Sequence, residues 1–126
     1  MWNEQPAPAI DAEALELLVE MIGPDEPAAV LDLLDTYIAD STVQVADLQR
    51  AFATGDVKNT HRLAHSMKSS SATFGALELS KYCETLEQSA KANCSGGNCA
   101  EELQRVVEEH ARVIESLTGL RSRFVE

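Results

Sequence analysis

The longest amphipathic stripe in the chain decides what class of fold it can adopt. Val30, Leu34, Tyr37, Ser41, Val45, Leu48 and Phe52 recur at spacings of three and four. On an α-helix they form one side, whereas on a strand they would scatter over both faces. The stripe persists through Thr42-Val43-Gln44-Val45, a β-branched patch that lowers helix propensity without breaking the period. Asp25 is its expected cap and Gly55 its expected end.

The same period recurs along the chain. In front, Asp11 is a good N-cap, Ile10 and Leu15 suit a hydrophobic staple, and a short helix runs to Ile22 with Ala14, Leu17, Leu18, Met21 and Ile22 inward. Gly23-Pro24 stops it. After Gly55, Asp56 caps a helix whose Val57, Ala64, Met67, Ser71 and Phe74 share one side, with Leu63 flanking, and Gly75 marks its exit. Leu79, Cys83, Leu86 and Ala90 line the next helix. Asn98 with Glu101 makes a capping-box-like start to a last one, which carries Leu103, Val106, Val107, His110, Val113, Ile114, Leu117, Leu120 and Phe124. No strand pattern appears. The expected fold is all-α: an antiparallel up-down four-helix bundle with an additional short N-terminal helix, over residues 10–126. Residues 1–9, with Pro6 and Pro8, read as a linker or flexible arm.

Composition excludes several function classes. A chain of 126 residues is one ordinary domain with room for a core. Its 21 acidic against 10 basic side chains give a net charge of −11, a surface that repels nucleic acid. No apolar run approaches the roughly 18 residues that span a bilayer, and the acidic start is no signal peptide. Three cysteines make no disulfide framework, which suits a reducing cytoplasm.

The chemistry lies on the polar side of the Asp56-capped helix, where Lys58, Arg62, His65, Lys68, Ser69 and Ala72 gather. An exposed neutral imidazole is a nitrogen nucleophile. Lys68, three residues on, shares its face and can neutralise charge arriving at that nitrogen. Periodicity alone leaves open that His65 is an ordinary solvated histidine.

His65-Ser66-Met67-Lys68-Ser69-Ser70-Ser71 followed by Gly75-Ala76 resembles the motif of the histidine-containing phosphotransfer (HPt) domain family, His-x-Leu-Lys-Gly-Ser-Ser-x-x-x-Gly-Ala. Leu79, Cys83 and Leu86-Glu87 look like that family's next helix. The chain departs from the motif at Ser69, where the family usually has glycine. The resemblance implies the same bundle and a phosphohistidine at His65, relaying a phosphoryl group between receiver-domain aspartates in two-component signalling. It implies a phosphocarrier with no ATP site of its own, to which the partner receiver brings Mg²⁺. Glu87 falls where the family often has a polar residue able to reach the histidine's other nitrogen; the open alternative is a solvated carboxylate. Lys91, one turn on, either pairs with Glu87 or sits near the incoming phosphoryl group. His61, Arg62, Ser69 and Ala72 are the expected receiver contacts.

Other readings of these residues are open. His61 and His65 stand one turn apart, but Arg62 occupies the place where a zinc-protease helix has glutamate, so no metal is expected. Cys94 and Cys99 flank Ser-Gly-Gly-Asn, close enough for a disulfide or a soft metal, and neither is expected. Cys83 reads as a buried hydrophobe, and His110 as a satisfied rim or core histidine. No glycine-rich loop for nucleotide phosphates is present. The competing functions are a partner-binding bundle without chemistry and a kinase dimerisation bundle, although the latter typically has an acidic residue where Ser66 follows His65. The expected protein is a cytoplasmic monomer, free-standing or the terminal module of a hybrid sensor kinase, with receiver domains as partners.

Overall fold

A computed structural model describes residues 8–125. The expected arm over residues 1–9 lies outside them except for Pro8 and Ala9, and Ala9 is buried against the core. Five helices follow in order: α1 (Ala12–Ile22), α2 (Pro27–Ala53), α3 (Val57–Thr73), α4 (Leu77–Lys91) and α5 (Cys99–Leu120). No strand occurs among the described residues. Helices α2–α5 form the antiparallel bundle, with α3 packed most closely on α4, and α1 touches α2 and α3.

Three details differ from the sequence reading. α1 turns Leu15 and Val19 inward and leaves Leu17 and Met21 exposed. The helix is apolar almost all round, so periodicity could not choose a face. The choice is made by its backbone, because Asp11 N–H donates to the Gly75 carbonyl at 2.7 Å. Second, α2 is not capped by Asp25: Glu26 occupies the N-cap without a side-chain bond, and Pro27 opens the helix. Proline suits the first helical position and pushes its predecessor out of helical geometry. Third, the Asn98 side chain does not cap α5, since its backbone (φ −104°, ψ 3°) is not the extended one that capping needs. Residues Arg121–Phe124 leave α5 as a 3₁₀ turn that buries Phe124.

The loop cysteines overturn an expectation as well. Left-handed backbone at Asn93, Cys94 and Gly97 folds the α4–α5 loop back on itself. The Cα atoms of Cys94 and Cys99 come within 5.7 Å, and the two sulfurs are joined in a disulfide. Cys83 is free and fully buried, and burial pushes its thiol up to about 12.

Leu34, Leu48, Met67, Leu79, Leu86 and Leu117 are the largest wholly enclosed side chains. Between them run two buried polar links. Tyr37 OH and Ser71 Oγ meet at 2.9 Å, and Ser41 Oγ meets His110 Nε2 at 2.9 Å. The Tyr37 ring stacks on Phe74 at 4.6 Å. Buried polar groups forfeit stability unless paired, so the first link allows few rotations of α3 against α2 and the second few of α5 against α2. With Leu63, Ala64, Met67 and Ser71 held inward, His65 points out.

Candidate functional site

α3 starts where Asp56 Oδ1 accepts the Asn59 N–H at 3.1 Å. It ends at a turn in which Gly75 has φ +82°. A Cβ at Gly75 would meet the Asp11 carbonyl at 2.8 Å, so only glycine lets α1 close over this turn. The turn sends α4 back along α3. Ser80 Oγ donates to the Lys68 carbonyl at 2.8 Å, which fixes the register of the two helices.

That register brings Glu87 opposite His65. Glu87 Oε2 lies 2.6 Å from His65 Nδ1, Lys68 Nζ lies 2.9 Å from Oε1, and His61 Nε2 stands 3.7 Å from Oε2. The Glu87 side chain is 8 % exposed against 60 % for His65. Burial pushes the carboxyl up, but Lys68 and His65 outweigh it and hold it below its ordinary range. The same contact, chiefly with Glu87, raises the Lys68 ammonium's pKa. Lys68 thus meets Oε1 as a close ion-pair partner.

An ionised carboxylate only accepts, so the ring nitrogen 2.6 Å from it carries the proton. In the neutral ring His65 is therefore the Nδ1–H tautomer, with its lone pair on Nε2. Among the described residues nothing bonds Nε2.

The other sequence candidates fall around this centre. Arg62 is exposed and donates from Nε to Asn59 Oδ1 at 2.9 Å. Ser69 is exposed and Ala72 half-buried on the same side. Lys91 is exposed in the last turn of α4 and forms no ion pair with Glu87 among the described residues. His110 is remote, buried against Ser41, and burial lowers its pKa. His61, read in sequence as a docking residue, turns towards Glu87, its ring 6.4 Å from that of His65 and nearly parallel to it. Two supporting contacts escaped the sequence: Ser80 to Lys68, and Gln44 Nε2, which donates to Ser66 Oγ at 3.3 Å. Both join residues far apart in the chain, and neither side chain carries a local signal.

The Hpt domain family matches residues 32–121, well over half of the chain. The chain belongs to that family. The histidine-containing phosphotransfer protein B (HptB) of Pseudomonas aeruginosa PAO1 has a similar structure, with a TM-score of 0.83 and 31 % identity over 94 % of this chain and 98 % of that one. The multistep phosphorelay regulator 1 of Schizosaccharomyces pombe is 32 % identical over 78 residues, 62 % of this chain. The chain spans about a quarter (26 %) of that relative's length. The function of this Hpt domain is histidine phosphotransfer in two-component signalling.

Proposed function

We propose that His65 Nε2 is the atom that receives the phosphoryl group, from the phosphorylated aspartate of a receiver domain, and that it passes the group to a second receiver aspartate. The observation carrying this is the 2.6 Å contact between His65 Nδ1 and Glu87. The Nε2 lone pair attacks phosphorus, the N–P bond forms, and the P–O bond to the aspartate breaks with its electron pair left on that carboxylate. No proton has to leave Nε2. The ring gains positive charge while its proton stays on Nδ1, held by the Glu87 carboxylate, which orients the ring and stabilises that charge.

Lys68 would neutralise the arriving phosphoryl oxygens, with Lys91 as an outer cation. Arg62, Ser69 and Ala72 would meet the receiver around the exposed imidazole. The receiver would bring the Mg²⁺ and the remaining catalytic groups, and the chain itself would be a carrier with no ATP site, a monomer working on the cytoplasmic side. No helix among the described residues is long and apolar enough to cross a membrane. The fission-yeast relative is a multistep phosphorelay regulator, which supports a relay between receivers.

Incubation with a receiver carrying labelled phosphoryl tests the proposal. The expected result is acid-labile, base-stable label on the parent and none on His65→Gln, with thermal stability nearly unchanged because the imidazole is solvent-facing. Label persisting on His65→Gln would move the acceptor to another histidine.

A further inference from the structure

Three basic groups converge on one carboxylate, and only two of them touch it. Lys68 takes Oε1 and His65 takes Oε2, while His61 Nε2 stops 3.7 Å from Oε2, beyond hydrogen-bond reach but near enough to close with a rotamer adjustment. His61 is half-exposed, so it can exchange protons with solvent.

The resting arrangement leaves a problem for the phosphorylated state. A phosphoryl group on Nε2 is a new anion beside Lys68, and it competes with Glu87 for the ammonium. Lys68 is the contact that compensates Oε1, and the carboxylate is largely buried, so a lysine drawn towards phosphate would leave it under-compensated. His65 cannot supply the difference, because its Nδ1 proton is already donated to Oε2.

We propose that His61 is the standby counter-cation of this site: it takes up a proton as His65 is phosphorylated, closes on Glu87, and keeps the carboxylate aimed at Nδ1 while Lys68 attends to the phosphoryl group. His61 acts through Glu87 and is thus a positioning residue. This rests on the phosphocarrier reading of His65 and adds to it a proton linked to phosphoryl transfer.

The surroundings of His61 define its balance of charge. On its own helix, Lys58 and His65 stand one turn to either side. On α4, Glu87 is the carboxylate that faces it, Lys91 follows Glu87 by one turn, and Glu84 acts on Lys68. On the α2 side, Asp47 and Arg50 pair with each other across the groove from Arg62. In the resting state the Lys68 ammonium supplies the counter-charge of Glu87. A phosphoryl anion reverses that balance.

By linkage, the factor by which phosphorylation tightens proton binding at His61 is the factor by which a proton there favours phosphoryl on His65. The expected size is about fivefold, the lower end of couplings between sites. Titration of the His61 ring by NMR, on full chain before and after loading with phosphoramidate, should show its apparent pKa rising on loading. The equilibrium with a receiver should then favour phosphohistidine about fivefold more at pH 6 than at pH 8, beyond the change seen in His61→Gln. His61→Lys, with a permanent cation, should hold the pH 6 value across the range, a rescue that a purely structural role would not give. Three results overturn the inference: loaded protein with an unmoved His61, a pH response identical in His61→Gln, or a His61 rise that survives in Glu87→Gln, which would mean direct attraction to the phosphate. Failure of His65 to accept phosphoryl at any pH would instead overturn the phosphocarrier reading itself.

Discussion

Replacing Glu87 with glutamine separates the two things the carboxylate does for His65. The amide keeps a carbonyl oxygen that can accept the Nδ1–H, so the ring should keep its tautomer, but the negative charge beside the ring is gone. A hydrogen bond to a charged group contributes about 1.5–3 kcal/mol and a neutral one about 0.5–1.5. The loss is therefore about 1–1.5 kcal/mol, and it falls where the ring is most positive, as Nε2 forms its bond to phosphorus. At about 1.4 kcal/mol per decade of rate, transfer should slow roughly tenfold. Lys68 loses its partner too, but its side chain is 28 % exposed and its ammonium can turn to water, so folding should be little affected. Rapid-quench transfer from a labelled receiver, run at several receiver concentrations, separates the chemical step from binding. The expected result is a tenfold lower maximal rate at unchanged half-saturation, with the His65 tautomer unaltered by NMR. Glu87→Leu, which removes the acceptor as well, should be slower again. Transfer by Glu87→Gln within twofold of the parent would refute the charge argument, and equal rates for glutamine and leucine would refute the orienting one.

Lys68→Ala should slow transfer without preventing receiver binding, because its charge is needed chiefly as the phosphoryl group arrives; isothermal titration beside the kinetics checks both halves. Ser69→Gly should bind a generic receiver more tightly, by removing a hydroxymethyl group from the face beside His65, while lowering the free domain's melting temperature, since mid-helix glycine costs about 0.5–1 kcal/mol; weaker binding would show that the serine helps docking. Gly75→Ala should cost at least about 1–2 kcal/mol from the left-handed backbone alone, with the 2.8 Å clash against Asp11 added, seen as a melting temperature lower by several degrees. Acidification should destabilise the fold through His110: burial depresses its pKa, so the unfolded chain binds the proton first and stability falls as pH drops below the ordinary value of 6.5. A His110→Gln variant with the same slope of melting temperature against pH between 7 and 5 would remove His110 from that effect.

The parts of this molecule that were legible in the sequence are those written in local period. The α2 stripe places all its members but Phe52 in the core, and Leu79, Cys83, Leu86 and Ala90 are all buried along α4. His65 falls outward because Ala64, Met67 and Ser71 fall inward. Where the period was ambiguous, long-range contacts decided. α1 could have buried either of two faces until Asp11 bonded Gly75, from the far side of two helices. Glu87 is expected near His65 only through the family resemblance, with a solvated carboxylate as the open alternative, because its meeting with His61, His65 and Lys68 depends on the register that Gly75 and Ser80 set. Buried Glu102 and Glu109 lie on α5 at positions that the apolar stripe does not include, and charge gave no sign of their burial. The Cys94–Cys99 bond follows from left-handed turns at Asn93 and Cys94, residues that do not demand that backbone as glycine does.

Charge distribution explains how an acidic protein can receive an anion. The chain carries a net −11, yet α3 sets Lys58, Arg62 and Lys68 along the helix that carries His61 and His65, with Lys91 in the last turn of α4 and Glu87 paired to Lys68. At physiological salt the Debye length is about 8 Å, so the acidic remainder is screened from a partner approaching this face, while the nearest cations are not. A phosphorylated receiver is therefore met at close range by positive potential, and the single buried carboxylate beneath it turns that potential into a fixed geometry at Nε2. Moving the net charge elsewhere on the surface should alter encounter only weakly, whereas neutralising the patch should lower the association rate and its dependence on salt.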